Sequence, residues 1–148
     1  GSEMCIRDRA GQQGFSEAPQ FEGSSCLSRE RYDYMFQKRL LEEHYRTYGG
    51  SYAWVRAGFR ASRELMRREN LAKIKVPVLL FAAGCDHMVD NGAIGRFAEE
   101  TERTKLFSMP DSRHEIFNAD ERTRVKYYDE IFRFIKEEEV KDYENKNE

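Results

Sequence analysis

The 148-residue sequence predicts an α/β fold of parallel strands with flanking helices, and three observations carry that expectation. Val76 to Ala83 is an unbroken apolar run closed by Gly84. A second short run, Leu106-Phe107-Ser108-Met109, ends at Pro110. Between them Ile94, Phe97 and Ala98 repeat at helical spacing. A short apolar run without alternation reads as a strand buried on both faces, the habit of strands in a parallel sheet. A strand–helix–strand order with a right-handed crossover places both C-terminal strand ends on one edge. Pro77 falls at the start of the first run, where its missing N–H does least damage.

The elements follow in order. Residues 1–25 form an N-terminal segment without periodicity, disordered or artefactual. Gly1-Ser2 reads as a cloning scar. Met4 to Arg9 resembles translated sequencing-adaptor sequence, with an ordinary frayed terminus as the other reading. Residues 26–72 form a helical segment. Ser28 caps a helix to about Tyr48 with an apolar stripe of Tyr32, Met35, Phe36, Leu40 and Tyr45, ended by Gly49-Gly50. Ser51 caps a second helix to about Asn70, with Trp54, Val55, Gly58, Ala61, Leu65 and Met66 inward.

Residues 73–136 hold the core. Val78 to Ala83 and Lys105 to Met109 are the expected parallel strands, joined by a helix that Asp90 caps and that runs to about Thr101. Asn118-Ala119-Asp120-Glu121 opens the last helix in the manner of a capping box. There Val125, Tyr128, Phe132 and Ile135, widened by Ile131, form the apolar stripe. Residues 137–148 read as a charged, fraying tail.

Two residues with chemical potential stand just past the strand ends, Asp86 and His114, 28 residues apart. In an open parallel sheet that edge is where sites are built. An Asp and a His there are two thirds of a Ser-His-Asp triad in the chain order Ser, Asp, His. They are expected within hydrogen-bonding reach of one another. Asp90 competes with Asp86 but is better placed as a helix cap.

"VPVLLFAAGCDHMVDN" followed by "KLFSMPDSRHEIFNADER" and an amphipathic helix resembles the C-terminal part of an α/β-hydrolase fold. The nearer likeness is to the lysophospholipase and monoacylglycerol-lipase branch. "SRERYDYMF" and "GGSYAWVRAGFRAS" resemble part of that branch's helical cap, and the likeness covers roughly residues 20 to 136. By position, Asp86 matches the family's triad acid and His114 its triad base. The resemblance implies a serine hydrolase acting on a carboxylic ester, a lysophospholipid or monoacylglycerol, without a cofactor. Tyr32, Met35, Phe36, Tyr52, Trp54 and Phe59 are then candidates for an acyl-chain wall, against the simpler reading that they pack the cap.

The nucleophile does not carry over. An elbow needs a buried strand, a G-x-S-x-G turn and a helix. Gly49-Gly50-Ser51-Tyr52-Ala53 follows a charged helix instead, and Ser51 is better read as a helix cap. The chain is therefore expected to be a C-terminal fragment, inactive alone, with a non-catalytic interaction module as the alternative. Cys85 would occupy the acid's own loop, which argues against it as nucleophile. A metal site drawn from Asp86, His87, Asp90 and His114 is disfavoured, because the side chains of the adjacent Asp86 and His87 diverge.

Composition excludes other classes. A net charge of −2 gives no case for nucleic acid, and no apolar stretch reaches the roughly 18 residues of a membrane helix. Three cysteines without metal spacing point to a reducing, cytoplasmic compartment, with peripheral membrane attachment left open. A sheet of two strands leaves an edge through which a homo-oligomer could form.

Overall fold

The structure, a computed structural model, describes residues 11–145. The expectations for Gly1-Ser2 and Met4 to Arg9 lie outside the described residues. The order is α1 (Arg29–Leu41), a 3-10 turn (Glu43–Tyr45), α2 (Tyr52–Leu65), α3 (Arg68–Leu71), β1 (Val78–Ala83), α4 (Asn91–Glu100), β2 (Thr104–Met109), a 3-10 turn (Ile116–Asn118) and α5 (Glu121–Asn145). This is a mixed fold of helices around one parallel two-stranded sheet.

β1 and β2 pair in register from Val78 opposite Thr104 to Ala83 opposite Met109. On one face Phe81 meets Phe107 edge-on, with centroids 5.7 Å apart, and Tyr127 of α5 at 4.6 Å. Ala83, Met109 and Ile116 form the buried centre beneath them. α4 packs against both strands. β1 is only half-buried along most of its length, with Ala83 alone fully covered. Among the described residues β2 is the one strand beside β1, which leaves the other edge of β1 unpaired, so the full burial expected of it is not reached.

The caps fall where short polar residues precede the helices. Ser28 Oγ accepts from the Arg31 N–H, Ser51 Oγ from Trp54 at 3.2 Å and Asp90 Oδ1 from Gly92 at 2.8 Å. Each satisfies an amide that would otherwise lack a partner. At α5 the cap is Asp120, which accepts from the Thr123 N–H and hydroxyl. Asn118 donates to Glu115 instead, so the Asn118–Glu121 capping pair does not form.

Helix ends and faces depart from the sequence pattern. α1 stops at Leu41, not near Tyr48, because the Arg46 guanidinium reaches back to the Arg39 and Leu40 carbonyls. The second helix breaks after Leu65, where the Asn70 side chain donates to the Glu64 carbonyl at 2.7 Å. Trp54, Val55 and Leu65, expected inward, face solvent, with Trp54 70% exposed. Among the described residues the main neighbour of α2 is the short α3, which leaves most of its apolar side exposed.

On α5, Val125, Tyr128, Phe132 and Ile135 are likewise exposed. The face turned to the sheet carries Tyr127 and Glu130, the latter paired with Lys105 of β2 at 3.1 Å and with Arg133. The helix also continues through the segment read as a charged tail. Glu138 pairs there with Arg103 at 2.7 Å and with Lys141 at 2.6 Å, so the charges support the helix. Among the described residues, no helix is long and apolar enough to cross a membrane.

Residues 11–28 carry no helix or strand, yet part of them is anchored. Phe21 meets Tyr32 edge-on at 5.4 Å, and Tyr32 stacks on Phe36 at 5.8 Å. Arg113 Nη1 donates to the carbonyls of Phe21, Ser24 and Cys26.

Candidate active site

The site is built from two loops that leave the sheet side by side. After β1 the chain turns through Gly84, whose N–H donates to the Met109 carbonyl at 2.9 Å. The Cys85 N–H donates to the Ser112 carbonyl at 2.9 Å. These bonds stitch the β1 loop to the β2 loop. Parallel pairing puts both loops at the C-terminal edge, and their residues meet there.

Asp86 and His114 are brought together. Asp86 Oδ2 lies 2.8 Å from His114 Nδ1. Its other oxygen accepts from the Met88 N–H at 2.7 Å and the Val89 N–H at 3.2 Å. The Asp86 side chain is 3% exposed and that of His114 41%. Burial pushes the Asp86 carboxyl up, but the hydrogen bonds from His114, Met88 and Val89 outweigh it and hold the group below the usual carboxylate value. An ionised carboxylate can only accept, so Nδ1 carries a proton, and in a neutral imidazole of that tautomer Nε2 has the free lone pair. The arrangement can orient a neutral imidazole and stabilise it once it gains a proton.

The His114 loop is fixed from the other side. The Glu115 N–H donates to the Ser25 carbonyl at 3.0 Å, and Arg113 holds three carbonyls of residues 21–26. A cleft of about 370 Å³ opens beside the pair along the free edge of β1. Leu79, Phe81, Ile116 and Phe117 are among its lining.

The competing residues lie elsewhere. Asp90 caps α4 and pairs with Arg96 at 3.5 Å, not with His114. Ser51 is engaged as the cap of α2. Cys85 is exposed, its thiol 3.6 Å from the Pro110 carbonyl. His87 lines a different cleft. Among the described residues, no group of three or more His, Cys, Asp or Glu is gathered as a metal ion would require. Of the proposed acyl-wall residues, Tyr32 and Phe36 stack in the aromatic cluster, while Tyr52, Trp54 and Phe59 are exposed. None of the six lines the cleft beside the pair.

Three contributors escape sequence reasoning. Gly84 looks like a strand stop, but it is needed for close approach, since a Cβ there would meet backbone atoms of Pro110. The Met88 and Val89 amides act through backbone and carry no side-chain signal. Arg113 acts across the chain, with only its place next to His114 as a hint.

A parallel βαβ unit with an Asp–His pair at the strand ends defines a part of an α/β-hydrolase fold. The family model described as serine aminopeptidase, S33, matches residues 22–121, and the chain belongs to that hydrolase family of the α/β-hydrolase superfamily. Neither the curated proteins nor the solved structures yield a match to the chain.

Proposed function

We propose that Asp86 and His114 are the acid and base of a Ser-His-Asp triad that cleaves carboxylic esters. The nucleophilic serine then lies outside these 148 residues. The observation that carries this reading is the 2.8 Å contact between a buried carboxylate and a half-exposed imidazole, each just past a parallel strand. His114 Nε2 would take the serine proton as the hydroxyl attacks the acyl carbon, then return it to the leaving alcohol. Asp86 would hold the tautomer and stabilise the imidazolium. The apolar cleft along β1 supports a substrate with a hydrocarbon portion, and a lysophospholipid or monoacylglycerol is the class proposed.

A second reading, a module that binds a partner without turnover, is favoured by the solvent-facing apolar side of α2. Activity separates the two. The purified chain is expected to give no fluorophosphonate labelling and no turnover of p-nitrophenyl butyrate above buffer. Joined to an upstream coding segment that holds a G-x-S-x-G turn, it is expected to gain both. His114→Ala or Asp86→Asn should then lower turnover by about 10⁴-fold. Labelling of Ser51 in the chain alone, abolished by Ser51→Ala, would overturn the assignment.

A further inference from the structure

A second cleft, of about 470 Å³, lies between α1, residues 23–26 and the loop after β1. Arg39 of α1 lines it, and Arg39 Nε is buried without a hydrogen-bond partner. Its guanidinium makes no ion pair with any described residue. The task open to a cation in the last turn, bonding the final helix carbonyls, is taken by Arg46, which holds the carbonyls of Arg39 and Leu40. A charged N–H withdrawn from water with no acceptor is costly, so an acceptor from outside the chain would relieve it. Among the described residues that line the cleft Glu115 is the one carboxylate, and it is engaged by the Asn118 amide at 2.7 Å. His87 also lines the cleft, and its imidazole has no partner among the described residues.

The cleft adjoins the Asp86–His114 pair. Met88, whose N–H donates to Asp86, lines it and touches Ser25 Oγ through its sulfur at 2.9 Å. Glu115, next in the chain to His114, lines it too and bonds the Ser25 carbonyl. The two sites therefore share a wall.

We propose that this cleft binds an anionic group of the substrate, a phosphate or a carboxylate, on the Arg39 guanidinium. The planar fork of arginine matches either anion with two parallel hydrogen bonds. That the group belongs to a substrate rests on the hydrolase reading above, whereas the anion site itself does not.

The test is a titration of the full chain followed by the Arg39 Nε–Hε signal in ¹⁵N-resolved NMR. The probes are sn-glycerol 3-phosphate, sodium hexanoate and glycerol. A saturable shift with an anion and none with glycerol is expected. A response to glycerol 3-phosphate alone identifies a phosphate ester, a response to hexanoate alone a carboxylate, and a response to both a site for either. Arg39→Met, which keeps the apolar stem, should weaken the binding roughly tenfold or more. No saturable shift with either anion, or unchanged affinity in Arg39→Met, would overturn the proposal. The wild-type titration decides alone if that variant does not fold. Fluorophosphonate labelling reports the hydrolase reading separately, so either can fail without the other.

Discussion

A Cβ on Gly84 would run into the backbone carbonyl of Pro110, so the loops after the two strands touch backbone to backbone. No L side chain fits there without moving one loop. Gly84→Ala should therefore destabilise the fold by about 1–3 kcal/mol and spread the loops that carry Asp86 and His114. Urea unfolding reads the first effect and the hydrogen-bonded His114 Nδ1 proton in NMR the second. An unchanged midpoint with an unchanged proton signal would contradict the close approach.

Acid should weaken the fold partly through Asp86. Its carboxyl is held below its ordinary value, because hydrogen bonds from His114 and two amides outweigh burial. A folded-state pKa below the unfolded one means the stabilisation is complete above about pH 4 and fades as pH falls through the lowered value. Asp120, held down mainly by the Thr123 amide and hydroxyl, and Glu138, held down first by Lys141, act in the same direction. Asp86→Asn should thus flatten the acid limb of stability against pH without abolishing it. Urea midpoints from pH 7 downward check this, and identical limbs in the two proteins would count against it.

The two described cysteines should differ in reactivity. Cys26 is 3% exposed, its thiol donates to the Asn118 carbonyl at 3.0 Å, and burial pushes its pKa up. Cys85 is exposed. Iodoacetamide followed by peptide mass spectrometry should find Cys85 alkylated roughly tenfold faster or more. Equal rates would mean that the 21–26 segment releases Cys26 readily.

The strands and the first three caps were legible because each depends on neighbours in sequence. Val78 to Ala83 declares itself by an apolar run, and Ser28, Ser51 and Asp90 by standing just before periodic residues. The Asp86–His114 pairing was legible for the same reason, since two strand ends and one crossover fix it. Helix faces were not, because a stripe is buried only if something covers it. Trp54 and Phe132 have the spacing of core residues but face solvent. Glu130 is the reverse case, a carboxylate buried because Lys105 waits across the sheet. The end of α1 was hidden because it depends on Arg46 folding back. The Arg39 cleft was hidden because it joins segments far apart in sequence.

The ladder has a consequence for how the molecule assembles. Every rung, from Val78–Thr104 to Ala83–Met109, joins residues 26 apart, and the Asp86–His114 contact spans 28. The entropy lost on closing a loop grows only with the logarithm of its length, and short-range contacts favour fast folding. Asp86 and His114 therefore meet through the closure of one short loop, as the two strands zip. The contacts from Arg113 to Phe21, Ser24 and Cys26 span 87 to 92 residues and face a larger closure entropy. The order expected is hierarchical: the pair should form with its own βαβ unit, and the N-terminal segment should dock afterwards onto a loop already in place.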